Sequence, residues 1–266
     1  MSRIVWDAEG ERFYETGVRQ CVLYPKTGSQ GAYAAGVAWN GITAVNERPT
    51  GAEANAIYAD DIKYLNLISK EEFEATIEAY TYPDEFAVCD GSAEIIAGMT
   101  IGQQTRKPFG LCYRTAIGND TDGEDAGYYL HVVYNATAAP SEKSYSTMND
   151  SPEAITFSWE VKTVPVAVTG YKPTALVKLK STDLSASAIG LLEAALYGVD
   201  APAFSASSTY EVGDYVTYDA KVYVCKTKIA TAAAWDSTKW TEVTDPGPHI
   251  LTPDEIKAII TANPKA

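Results

Sequence analysis

Histidine is almost missing from this chain, with only His131 and His249 among 266 residues. A catalytic triad or a histidine-rich metal centre has little to be built from. His131 falls in the alternating run YYLHVVY and reads as one face of a strand, and His249 sits beside a proline-rich linker. Cys21, Cys89, Cys112 and Cys225 are far apart, with no Cys-x-x-Cys spacing, and read as reduced, buried thiols rather than zinc ligands. No G-x-S-x-G elbow, phosphate-cradling glycine loop or HExxH pair occurs. No catalytic, cofactor-binding or metal-ligating residue is therefore expected, and the chain is not expected to be an enzyme.

Positive charge is also scarce. The formal charge is −14, and no basic run is interleaved with aromatics. Sequence-specific nucleic-acid binding and attachment to anionic lipid are both disfavoured. No apolar run is long enough to cross a bilayer, and the greasiest stretch, AIGLLEAAL, is too short. MSRIVWDAEGERF lacks the apolar region of a secretory signal, so no export is expected. The sequons NDT, NAT and NDS then carry little meaning.

What the chain does have is 46% apolar residues and 18 tyrosines, with Val and Thr common and Leu and Met sparse. That bias favours strands and a mainly β fold. The length suits one large domain, or a domain plus a small module. RQCVLYP reads as a strand stopped by Pro25. In EAITFSWEVKTVPVAV, Ile155, Phe157, Trp159 and Val161 share one face, and ALVKLKS is a further strand. SKEEFEATIEAYTYPDEF offers two readings. Ser69 and Glu72 have capping-box spacing, while Phe73, Ala75, Ile77 and Ala79 alternate. The strand reading is preferred, with a short helical turn from Pro83. Asp60 and Asp61, read within a strand, would face opposite sides, one buried against a partner and one wet. Two helices are expected near the end. One is DLSASAIGLLEAALYG, closed by Gly198. The other is LTPDEIKAIITA, with Thr252, Pro253 and Glu255 forming its start.

The stretch AIGNDTDGEDAG, residues 116–127, gathers Asp120, Asp122, Glu124 and Asp125 among glycines. Placing Gly123 at position 6 of an EF-hand loop puts Gly118 at position 1 and Tyr129 at position 12, so two key ligands are missing. Flanked by KPFGLCYRTAI and GYYLHVVYNAT, it reads as the long solvated tip of a hairpin. Composition shifts again after the first helix. DAPAFSASS and TDPGPH look like linkers around TYEVGDYVTYDAKVYVCKTKIATAAAWDSTKWTEV, a short, aromatic, strand-like piece. The expected organisation is a first part over 1–200, an inserted all-β module over 203–246, and a closing segment over 248–266.

Several stretches together resemble the major tail (tail tube) protein of long-tailed phages of Gram-positive hosts. They are FYETGVRQCVLYP, YAAGVAWNGITAVNERPTGAEAN, IYADDIKYLNL, ATIEAYTYPDEFAVCDGS, QQTRKPFGLCYRTAIGND and GYYLHVVYNATAAPSEKSYSTMNDSPEAITFSWEVKTVPV. The likeness resumes at ILTPDEIKAII. It implies a tail-tube β-sandwich with a flanking α-helix, six copies of which close into a ring around an inner β-barrel. Rings stack into a tube, assembled in the host cytoplasm and ending in the virion. The implied partners are the chain itself, a tape-measure protein, and tail terminator and distal tail proteins. DNA passes through without being specifically bound, no membrane is involved, and an acidic lumen would let DNA slide. AIGNDTDGEDAG or the GSQGAYAAGVAWNGI hairpin is the expected arm across a ring interface. The inserted piece resembles a small carbohydrate-binding module of the chitin-binding type, through Tyr210, Gly213, Asp214, Val216, Tyr218, Tyr223, Trp235, Asp236 and Trp240. That resemblance offers Tyr210, Tyr215, Tyr223, Trp235 and Trp240 as glycan-binding residues, which would make the chain a carbohydrate-binding surface or adhesion protein. CKTK replaces the aromatic pair usual there, and the same rings would equally serve as the core of so small a module.

Overall fold

A computed structural model describes residues 3–28, 31–147, 150, 153–244 and 247–265. Parts of the GSQGAYAAGVAWNGI hairpin, of the NDS sequon and of the TDPGPH linker lie outside them. The fold is mainly β, with antiparallel sheets, two α-helices and no closed barrel among the described residues.

In chain order the strands are β1 (Tyr14–Pro25), β2 (Val37–Ala38), β3 (Ile42–Glu47), β4 (Ala54–Ala59), β5 (Ile62–Ile68), β6 (Glu74–Ala79), β7 (Ala93–Ile96), β8 (Met99–Ile101), β9 (Phe109–Asn119), β10 (Gly123–Ala138), β11 (Phe157–Thr163) and β12 (Leu176–Lys180). After α1 (Ala186–Tyr197) come β13 (Tyr215–Tyr218), β14 (Lys221–Cys225) and β15 (Trp240–Val243), then α2 (Pro253–Ala262). The chain divides into two compact units, Met1–Tyr33 with Val37–Leu179, and Ala34–Gly36 with Lys180–Ala266.

In the first unit one sheet runs β2-β1-β9-β10-β11-β6-β3, with β12 beside β10. β10 pairs with β9 along most of its length and with β11 through Ala136–Ala138, so it passes from one layer to the other. A bulge before Ala136, where Asn135 takes φ 48°, marks the bend. Between the layers lie Leu23, Trp39, Ile77, Phe86, Phe109, Leu111, Val133 and Trp159, all buried. The alternation of β6 is complete, with Ala75, Ile77 and Ala79 buried and Glu74, Thr76 and Glu78 facing out. Ser69 and Glu72 start no helix. The Ser69 hydroxyl accepts from the Glu53 amide (3.2 Å), and Glu72 exchanges both backbone hydrogen bonds with Thr50. The turn after Pro83 is present as a short 3-10 helix, Asp84–Phe86.

Asp60 and Asp61 are not neighbours within a strand. They form the two-residue turn between β4 and β5, at φ 50° and 62°, and both are exposed. Positive φ at both central positions is the conformation of a tight hairpin turn, which short polar side chains tolerate. The β9–β10 tip is shorter than the sequence suggested. Gly123 pairs with Asn119, leaving only residues 120–122 as the turn, and Glu124–Ala126 form an irregularity in the ladder.

In the second unit, Ser185 caps α1 through the Ala188 amide (3.1 Å), and Gly198 follows it at φ 80°. Thr252 and Glu255 close a reciprocal capping box on α2, with Pro253 in its first turn. Ser185 and Ser187 of the α1 start both bond to Asn263 after α2, at 2.7 and 3.0 Å. The first compact unit ends at Leu179, and the second holds α1, the small sheet and α2 together. β13-β14-β15 form a separate three-stranded sheet with its own small core. DAPAFSASS is not a loose linker. Ala201 and Pro202 carbonyls accept from Thr217, and Phe204 joins the core of the small sheet.

Candidate functional site

Large apolar side chains of the first unit lie exposed on two of its hairpins. β4 and β5 pair only with each other. Along them Tyr58, Ile62, Tyr64, Leu67 and Ile68 are 55–69% exposed, and Ile57 and Leu65 are also open. Neither face of this hairpin is covered. An isolated two-stranded hairpin is marginal at best in water, and a patch of this kind usually marks a contact surface. The β7–β8 hairpin repeats the pattern on a smaller scale with Ile95, Ile96 and Met99. Ile4, Val5, Trp6 and Phe13 are exposed as well.

Open sheet edges accompany these patches. β2 pairs with β1 at Val22 and Leu23, so among the described residues the stretch from Tyr14 to Gln20 has no strand beside it on the side away from β9. β3 pairs with β6 alone. Such edges present unpaired backbone groups that another strand can take up.

Among the described residues, both stretches offered as the arm make contacts within their own chain. At the β9–β10 tip, the Asp120 carboxylate accepts from the Gly10 amide (3.0 Å) and pairs with Arg12 (3.3 Å). Asp122 accepts from the Asn119 side chain (2.8 Å), and Glu124 pairs with Arg19. The segment after β1 returns to it through the Lys26–Tyr33 bridge and β2, and Trp39 is buried. Large apolar side chains stand exposed on β4–β5 and on β7–β8. A signal for the first was present in ANAIYADDIKYLNLI, where apolar residues occupy alternate positions of both parities around an Asp-Asp turn.

The outward face of β3, β6 and β11 is polar. Asn46 and Arg48 stand beside Glu74, Thr76 and Glu78, then Ser158, Glu160 and Lys162. Lys162 pairs with Glu74 at 3.0 Å and Arg48 with Glu160 at 3.9 Å. The thiols of the first unit are closed off. Cys21 is pushed up to about 12 by burial, with Cys112 beside it, and Cys89 to about 12 by burial. Such thiols are poor nucleophiles.

In the small sheet, four of the five aromatics offered for glycan binding pack on one another. Trp235 lies flat between Tyr218 (4.0 Å, 7°) and Trp240 (5.3 Å, 12°), and Tyr223 meets it edge-on at 4.8 Å. Tyr210 stacks on Phe204, and its hydroxyl exchanges hydrogen bonds with Ser205. Tyr215 alternates with the core-facing Val216 and lies on the other side of β13. Stacking on a pyranose needs a free ring face, and Trp235 already stacks on two rings. Tyr218, 38% exposed, ends the stack. Where CKTK departs from the usual aromatic pair, Cys225 points into the core and Lys228 pairs with Glu211 at 2.6 Å. Phe204, read from sequence as linker, sits among Tyr210, Tyr218, Trp235 and Trp240.

No helix among the described residues is long and apolar enough to cross a membrane. No family model and no curated protein matches the chain. Among solved structures, it is similar to the sheath–tube complex of an extracellular contractile injection system (PVC) in its extended state. The TM-score is 0.27 at 10% identity, over 60% of this chain and 88% of that one. A likeness at that level carries no argument about function.

Proposed function

We propose that this chain is a structural subunit that polymerises with itself, six copies to a ring and rings stacked, into a phage tail tube that conducts DNA. The single observation that carries this reading is the β4–β5 hairpin, whose apolar side chains have no cover on either face. A second copy of the same chain offers a matching need, because the β1 and β3 edges are open. The sequence resemblance to tail tube proteins supplies the ring and the channel. The polar outward face of β3, β6 and β11 is the natural candidate for a wet channel wall, and the −14 charge suits a conduit that does not retain phosphate. In this role the chain catalyses nothing.

Reading the chain instead as a carbohydrate-binding surface protein draws on the aromatic module. It has less support, since Tyr210, Tyr223, Trp235 and Trp240 are engaged with one another.

Sedimentation of the Leu67→Lys variant tests the assembly reading. Leu67 is 55% exposed, so the variant should fold with an unchanged circular dichroism spectrum and sediment as a single chain. Wild-type protein should sediment as large particles. Equal sedimentation of the two would contradict the role given to the hairpin.

A further inference from the structure

We propose that His131 is held as a doubly protonated imidazolium between Glu15 and Glu47, and that this cation is a clamp fastening the end of β3 to the β9–β10 layer. The clamp lies within one chain and needs no second copy.

His131 is 2% exposed and stacks flat on Tyr113 across the β9–β10 ladder (4.5 Å, 10°). Each ring nitrogen faces an acid. Nε2 is 3.0 Å from Thr115 Oγ1 and 3.6 Å from Glu15 Oε1. The Thr115 hydroxyl donates its one proton to Glu15, so towards the ring it can only accept, and Nε2 must carry a proton. Nδ1 lies 3.1 Å from Glu47 Oε1, an ion-pair contact off the straight hydrogen-bond line. Glu47 Oε1 already accepts from the Tyr113 hydroxyl at 2.6 Å, the behaviour of a carboxylate. A positively charged ring is attracted to that carboxylate across 3.1 Å, whereas a neutral ring leaves it without a countercharge.

Charge balance agrees. The groups facing the ring are Glu15 from β1, Glu47 from β3, Tyr113 from β9, Tyr129 from β10 and Lys178 from β12, with the Cys21 thiol near Tyr113. Lys178 pairs with Glu15 at 3.0 Å and covers the Tyr129 ring at 4.0 Å. With the imidazolium, two anions meet two cations. Without it, one negative charge stays beside a buried ring, which is costly.

Both acids lie below the ordinary carboxylate range. For Glu15 burial works the other way, but hydrogen bonds from Thr115 and Lys178 outweigh it. For Glu47 the His131 contact leads, burial opposes it, and Tyr113 adds to it. Burial, then Glu47, pushes the Tyr113 phenol up. The acids' contribution is present above about pH 4.3 and lost as pH falls through their lowered values. Glu47 ends β3, and six residues separate it from the exposed β4–β5 hairpin.

Nitrogen-15 NMR of histidine-labelled full-length protein reads the ring directly, with His131 assigned by loss of one signal in His249→Gln. At pH 6.5 both His131 nitrogens should report as protonated, and in Glu47→Gln the ring should become singly protonated at that pH. Amide exchange at Val45–Glu47 should quicken in Glu47→Gln relative to the wild type. A neutral His131 ring at pH 6.5 in the wild type, an unchanged ring in Glu47→Gln, or unchanged exchange at β3 in that variant would each overturn the clamp.

Discussion

Asp90 shows how one buried charge organises a surface segment. Its carboxylate accepts from Trp159 Nε1 (3.2 Å) and pairs with Lys143 (2.6 Å) and Arg106 (3.4 Å), and Arg106 also donates to the Ala138 carbonyl (3.1 Å). Four separate stretches thus meet at one side chain that is 9% exposed. Removing it leaves the Trp159 N–H and two cations without their acceptor. Asp90→Ala should therefore destabilise the first unit by about 3 kcal/mol, measured by urea unfolding. A loss well under 1 kcal/mol would mean that water or another acid replaces Asp90 at no cost. Asp90 stood in AVCDGS with nothing to distinguish it, because its partners are 16 to 69 residues away in the chain.

At the scale of elements, the β9–β10 hairpin is constrained by a missing side chain. A Cβ on Gly118 would come 2.3 Å from Tyr14 Cζ and 2.6 Å from the Gly123 carbonyl oxygen. The backbone oxygen cannot swing aside, so Gly118→Ala should cost about 2 kcal/mol and lower the melting temperature. An unchanged melt would show that the tip shifts freely. Elements whose cause is local were legible in the sequence. The capping box of α2, the Gly198 stop of α1 and the alternation of β6 and β11 all lie within a few residues of their effect. The turn at Asp60 and Asp61 was missed because a strand reading passed through it, although apolar residues on both parities already spoke against one wet face. Phe204 was missed because its partners, Tyr210 to Trp240, come later in the chain and its neighbours look like linker. The Glu15–His131–Glu47 cluster draws on three strands and has no motif at all.

At the scale of the whole molecule, the residue types that make strands are plentiful and those that do chemistry are few. Strand material has gone further than one copy can use, leaving uncovered apolar hairpins and open edges. Natural sheets seldom leave such features bare, because they invite uncontrolled pairing. In the proposed ring, closure with identical neighbours would satisfy them and form a bounded, symmetric object. The central claim is thus that the 266-residue chain is stable as a member of a ring and not alone. Electron microscopy of the purified full-length protein at high concentration tests this most directly. Stacked rings with sixfold symmetry around an open channel are the predicted result. A uniform field of single compact particles at the highest soluble concentration would contradict it.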